Sequence, residues 1–380
     1  MRRGAALILT AMLLTSCVAA LAAGGSELIS LSYLNHTYLP DMVNKAGASI
    51  QTATQKTYQQ VYESLKASQE QYLFQAIGGL SGPAGLLDQR VKQGDMIILP
   101  TGSTALLLAG RGTAAYTGSG VIDLTTGQTV PNGGALVEYH RYLAAEQTNA
   151  QITITSDTAV VSLEGEGSIT PSGETDYNAL AAALNTLNIF RGTGTGYGSG
   201  YDLERIPTRI EGLVLFLRLL GEEKAALACT SPNPFSDVPD WAKPYVAYAY
   251  DKGYTKGIGP SLTTGQPLFG TDIPMEAGEY LTFVLRVLGY QDSGSTPDFT
   301  WENALETGRN MGVLTTGEFA LLSSKPFLRA QMAYVSYYAL DAYRKDNRGT
   351  LLDQLSAAGA INADQAAQVR GQVTVKRISE

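Results

Sequence analysis

The sequence predicts an α+β multidomain protein with a helical N-terminal segment, a small all-β barrel or sandwich, and a C-terminal α-helical triple repeat. Three observations carry this expectation. Apolar residues recur at helical spacing early in the chain, short β-favouring runs alternate with turn residues in the middle, and one helical pattern recurs three times between Asp176 and Arg344. At 380 residues, 44% hydrophobic and 16% charged, the chain has material for several ordinary globular cores.

The first element is a leader. Arg2-Arg3, an apolar run from Ala5 to Leu14 and the small residues around Ala20-Leu21-Ala22 make the three-part pattern of a secretory signal, with cleavage expected after Ala22. Leu14-Thr15-Ser16-Cys17 also resembles the lipobox of bacterial lipoproteins, so Cys17 is a second candidate, for cleavage and acylation. No later stretch reaches the roughly 20 apolar residues of a membrane-spanning helix. If residues 1–22 are removed, Cys229 is the sole cysteine and no internal disulfide can form.

Residues 23–80 form the helical segment. Tyr58, Val61, Tyr62 and Leu65 repeat at i, i+3, i+4, i+7 within Tyr38–Leu73, where one or two amphipathic helices are expected, and Gly78-Gly79-Leu80-Ser81-Gly82-Pro83 then breaks the pattern. The β region spans residues 91–170. Its strands are expected at Met96-Ile97-Ile98-Leu99, Ala105-Leu106-Leu107-Leu108, Val121-Ile122-Asp123-Leu124 and Ile152-Thr153-Ile154-Thr155, with a turn at Val130-Pro131-Asn132-Gly133-Gly134.

Three repeats follow, at 176–230, 231–295 and 296–345, the last degenerate. Ile210, Leu213, Val214 and Leu217 form an apolar stripe ending at Leu219-Leu220-Gly221, and Tyr280 to Gly289 has the same ending. Alignment on the Leu-Gly ends sets Glu211 against Glu279 and Arg209 against Ala277; Arg329 and Gln331 fall at those positions in the third copy. Units of this length cannot bury their apolar faces alone and must pack on one another. Thr208-Arg209-Ile210-Glu211 reads as a capping box, with Thr208 as the cap and Glu211 returning a bond. Arg209 has no capping duty and can project into a neighbouring groove. The tail, residues 346–380, offers Leu351–Leu355 and Ala363–Val369 as short helices and Val373-Thr374-Val375 as a strand-like run.

Residues 176–345 resemble S-layer homology (SLH) domains, which occur in tandem threes on bacterial surface proteins. The resemblance rests on Phe235-Ser236-Asp237-Val238 with Trp241-Ala242, on the turn from Ala249 to Gly257, and on the Thr208-Arg209-x-Glu211 start of a long helix. It implies a pseudo-threefold helical assembly whose inter-repeat grooves bind secondary cell-wall polysaccharide, often with pyruvylated sugars, and tether the protein to the cell wall or S-layer, with self-association in view. The positions that match are Thr208, Arg209 and Glu211 in the first copy, Asp237 and Trp241 in the second, and Arg329 in the third. The first copy lacks the Phe-x-Asp-Val opening, the second has Ala277 in place of arginine, and the third has Gln331 in place of glutamate.

Residue chemistry agrees with a glycan partner. An arginine can grip a carboxylate through paired charge-assisted bonds, and an indole face suits the apolar side of a sugar ring. Each of these residues also has a structural reading: a salt bridge for Arg209 and Arg329, core packing for Trp241. The tyrosines, 21 in all, serve either as sugar platforms or as half-buried helix faces.

Other classes are disfavoured. The formal charge of −8, about −10 without the leader, speaks against nucleic acid. Two histidines, His36 and His140, give little for a metal centre or a histidine-based triad, so neither a metal nor a cofactor is expected. The glycine-rich run Gly192–Gly200 lacks the lysine of a phosphate loop and reads as a flexible connection between helices. Glu164-Gly165-Glu166 sits at a turn, where glycosidase chemistry would need a cleft. The reading is a non-catalytic protein of the cell envelope; the alternatives are an envelope enzyme acting on polysaccharide from the β region, or a scaffold whose repeats bind protein.

Overall fold

The computed structural model describes residues 87–194 and 197–379, with scattered positions between 39 and 57. The chain divides after Leu80 into two units. In the first, residues 39–43 are helical. Residues 45, 46, 53 and 57 are helical as well; the rest of the expected N-terminal helices, the leader with Cys17, and the glycine-rich break at 78–83 lie outside the described residues.

In the second unit, strands come first: β1 Leu87–Lys92, β2 Met96–Pro100, β3 Thr104–Ala109, β4 Gly112–Thr117, β5 Val121–Asp123, β6 Gln128–Val130, β7 Gly134–Ala135, β8 Arg141–Ala144, β9 Asn149–Ile154, β10 Thr158–Glu164 and β11 Ser168–Thr170. They pair antiparallel into a six-stranded sheet, β1-β10-β3-β8-β5-β6, and a five-stranded sheet, β11-β2-β9-β4-β7. Alternate residues point inward, as period two demands: Ile97 and Leu99 on β2, Ile152 and Ile154 on β9, and Ala105 and Leu107 on β3 share one core drawn from both sheets. Of the two architectures expected, the barrel is not the one found: among the described residues the strands form two open sheets and no closed ring.

The helices follow: α1 Tyr177–Thr186, α2 Arg209–Leu219, α3 Glu223–Leu227, α4 Lys243–Asp251, α5 Ala277–Val287, α6 Ala304–Asn310, α7 Thr316–Ser324, α8 Arg329–Ala339, α9 Leu351–Ala357 and α10 Ala363–Gln372. A two-residue pair, β12 Gly259–Pro260 with β13 Pro267–Leu268, interrupts them. The stripe Ile210, Leu213, Val214 and Leu217 is buried as expected, in one continuous helical core.

Repetition is written in the backbone. The short helices α1, α4 and α6 each stop at a left-handed residue, Asn188, Gly253 and Gly312. After each, an N–H bonds five residues back: Ile189 to Leu184 O at 2.9 Å, Tyr254 to Ala249 O at 2.8 Å, Val313 to Gly308 O at 2.9 Å. The long helices α2, α5 and α8 each begin with a side chain bonded back to the N–H three residues earlier: Glu211 to Thr208 at 2.9 Å, Glu279 to Glu276 at 3.0 Å, Gln331 to Leu328 at 2.9 Å. Units interlock through the same main-chain pairs. Arg209 N–H bonds Ile273 O and Ile210 N–H bonds Thr271 O, just as Arg329 N–H bonds Arg205 O and Ala330 N–H bonds Leu203 O.

Two expectations are corrected. The glycine run is no flexible connection where it is described: Gly198 and Gly200 are buried, Thr193 N–H bonds Gly200 O at 2.8 Å, and Gly198 is held by Arg90 and Asp88 of β1. A Cβ on Gly198 would sit 2.8 Å from Val160 of β10, so only glycine permits this approach. Arg90 also bonds Asn178 on α1 and Glu204, both at 2.7 Å, joining the β region to the helical core. Second, the strand expected at Val373–Val375 does not form: Val373 N–H closes the preceding helix on Arg370 O, and Val375 O accepts from the Tyr338 hydroxyl; the helices expected on either side of Gly359 do form, as α9 and α10.

Candidate functional site: two inter-repeat grooves

Where one unit meets the next, the interlocking leaves a groove. The first, of about 350 Å³, is bounded by Thr193, Arg205, Glu211, Arg218, Trp241 and Arg329. The second, of about 560 Å³, is bounded by Arg209, Lys256, Phe269, Glu279, Arg286 and Trp301. They are built alike: Arg329 takes the place of Arg209, Glu211 that of Glu279, and Arg218 that of Arg286. Each has an exposed tryptophan at its mouth, Trp241 at 58% and Trp301 at 60%.

Their electrostatics differ. In the first groove the charges satisfy one another. Arg329, 3% exposed, pairs with Glu211 at 3.1 Å, donates to the carbonyls of Tyr201 and Arg191, and stacks 4.7 Å over Phe190. Arg205 bonds both Glu211 oxygens. Burial alone would raise the pKa of Glu211, yet Arg205, Arg329 and the Thr208 N–H hold it below the ordinary carboxylate value. Arg218 and Arg191 converge on Glu223.

In the second groove the arginine is not satisfied. Among the described residues the Arg209 guanidinium makes no hydrogen bond to protein, and its Nε is buried without a partner. It lies 5.3 Å over Phe269, and burial pulls its pKa down although Glu279 is a charged neighbour. Lys256 is exposed. Arg286 is held by Asp292 at 2.9 and 2.6 Å and by Tyr254 O. Leaving the buried Nε of a half-buried guanidinium unpaired costs free energy that an incoming anion would recover.

The candidates from sequence thus separate. Arg329 and Glu211 meet, but are spent on each other. Arg209 faces the other groove. Trp241 borders the first groove, packing edge-on with Tyr245 at 6.4 Å. Thr208 carries half of the expected capping box: its N–H bonds Glu211, while its hydroxyl makes no cap hydrogen bond. Asp237 lines neither groove. Its oxygens accept the N–H groups of Phe269 and Gly270 at 2.7 Å and of Thr271 at 3.0 Å, so it clasps the loop that carries Phe269 under Arg209.

That clasp has a pH signature. Burial would raise the pKa of Asp237, but the three amide donors outweigh it and hold it below the usual carboxylate range. A depressed folded-state pKa means stability fully present above the unfolded value, near pH 4, and lost as pH falls through the folded value. Asp237→Ala is therefore expected to lower stability at pH 7 by roughly 3 kcal/mol, from lost charge-assisted bonds, and to flatten the acid decline. Urea titrations at pH 7 and pH 3 measure both.

Sequence reasoning missed Trp301, Lys256, Arg205 and Arg286. Arg286 was within reach, since it precedes Val287-Leu288-Gly289 as Arg218 precedes Leu219-Leu220-Gly221. Elsewhere, Tyr245, Tyr334, Tyr337 and Tyr338 are buried, while Tyr250 and Tyr343 are exposed. Glu164 is engaged with Arg141 and Thr104, His140 with Asp123, and Cys229 is a half-buried free thiol. Among the described residues no group of three or more His, Cys, Asp or Glu is arranged to hold a metal, and no helix is long and apolar enough to cross a membrane.

No family model matches the chain. Over 169 residues it is 27% identical to a protein named "Cell surface protein" from Thermoanaerobacter kivui. The similarity covers 42% of this chain and 21% of that relative, so the chain spans about a fifth of the relative's length.

Proposed function

We propose that this is a non-catalytic protein of the bacterial cell surface, exported by its leader and held to the envelope by its helical units, which bind an acidic secondary cell-wall polysaccharide. The second groove is the principal site. The observation that carries the reading is Arg209: a half-buried guanidinium whose Nε is buried without a partner, flanked by Lys256 and Arg286 and roofed by an exposed tryptophan. A carboxylate on a sugar, such as a pyruvyl ketal, would pair with Arg209 and Lys256 while the ring lay against Trp301. Each charge-assisted hydrogen bond would contribute about 1.5–3 kcal/mol. The similarity to a protein named for the cell surface supports the location.

Co-sedimentation of the full chain with isolated walls of the organism that makes it, before and after chemical removal of the acidic polymer, tests the reading. Binding that disappears on stripping is expected. Equal binding to stripped walls, or none to intact ones, would refute it.

A further inference from the structure

By the repeat, a third face should lie on α8, opposite the faces that line the two grooves. The positions of Val214, Leu215 and Arg218 on α2, and of Thr282, Phe283 and Arg286 on α5, correspond to Tyr334, Val335 and Tyr338. All three are buried, because the chain itself covers them. Residues 373–379, neither helix nor strand, pass across α8: Tyr338 hydroxyl donates to Val375 O at 3.1 Å, and Ile378 N–H donates to the Tyr334 hydroxyl at 2.8 Å. Thr315, which stands where Lys256 stands in the second groove, donates its hydroxyl to Ile378 O at 2.6 Å. Arg377 bonds both oxygens of Glu318, itself 1% exposed, at 2.7 and 2.8 Å, and lies 5.4 Å over Tyr338.

The head of this face is closed from the other side. Lys325 and Gln331 occupy the positions of Arg205 and Glu211 in the first groove. There α2 supplies its own carboxylate to Arg205; here residue 331 is a glutamine and has none to give. The missing carboxylate comes from the β region: Asp157, between β9 and β10, bonds Gln331 Nε2 at 2.8 Å and Lys325 Nζ at 3.0 Å.

We propose that the third inter-repeat face is a docking site for the chain itself, with Asp157 and the 373–379 segment as its occupants. It fixes the β region and the C-terminal segment to the helical core, and leaves two faces for ligands. This holds whatever the open grooves bind. The two closures are independent in sequence, and both fall on positions that the repeat marks as groove-lining, which is how a reused site differs from incidental packing. The substitution of Gln331 for glutamate, a loss when judged as a ligand site, is a fit when the carboxylate is brought by a neighbour.

Residue-level footprinting of the intact chain tests this. In the wild type, Tyr334 and Tyr338 should react with hydroxyl radicals as slowly as buried Tyr280 and far more slowly than exposed Tyr343. Arg377→Gln should speed both by about tenfold, through local release of the segment, and leave Tyr280 unchanged. Asp157→Asn should raise amine acetylation of Lys325, which is exposed but ion-paired, towards that of Lys224, which is exposed and has no ion pair among the described residues. Wild-type Tyr334 and Tyr338 as reactive as Tyr343 would overturn the proposal even if no variant folded. So would either variant leaving its reporter unchanged.

Discussion

Arg329→Ala is expected to lower the unfolding free energy by about 3–5 kcal/mol, the cost of removing one member of a buried ion pair. The side chain is 3% exposed and ties together three parts of the chain: Glu211 on α2, and the carbonyls of Tyr201 and Arg191 before it. Its loss strands two carbonyls and removes one of the two guanidinium partners of Glu211. Arg329→Lys keeps the charge but not the fork, and is expected to recover only part of the loss. Denaturant titration of the full chain, followed by near-ultraviolet circular dichroism, reads the difference. A change within about 0.5 kcal/mol, the range of an ordinary surface substitution, would mean that Arg329 holds nothing together.

Arg209→Ala should behave in the opposite way. The arginine stands at the same position of its own repeat, yet its side chain makes no hydrogen bond among the described residues, and partial burial already penalises its charge. Removing a half-buried cation that forms no hydrogen bond is expected to leave stability within about 1 kcal/mol of wild type, or slightly higher. Affinity for the acidic wall polymer should fall by about 10- to 100-fold, equivalent to one or two lost charge-assisted bonds. Co-sedimentation with unstripped walls over a range of wall concentrations gives that ratio. A stability loss like that of Arg329→Ala, with wall binding intact, would make Arg209 a structural residue.

These two arginines mark how far the sequence could be read. Local patterns were legible: β-favouring runs marked the strands at Met96–Leu99 and Ile152–Ile154, and the stripe from Ile210 to Leu217 marked a buried helix face, because burial follows the period of each element. The match of Glu211 with Glu279 and Gln331 was legible for the same reason. Pairing across the sequence was not. Arg329 and Arg209 look equivalent by position, and only the fold reveals that Tyr201, Arg191 and Glu211 converge on one while the other lies over Phe269 and lines a groove with Glu279. Asp237, which sits in the most recognisable motif of the chain, proved to be tied to the backbone of residues 269–271, a partner set with no sequence signal. Val373-Thr374-Val375 has strand composition, but composition cannot say that Tyr338 would take the Val375 carbonyl in place of a neighbouring strand.

The most direct test of an acidic-glycan site at Arg209 is a calorimetric titration of the full chain with the acidic polysaccharide fragments released when its walls are stripped. Saturable binding that is lost in Arg209→Ala, and weakened in Trp301→Ala, is the predicted result. Fragments that bind the Arg209→Ala chain as tightly as the wild type, or bind neither, would contradict it.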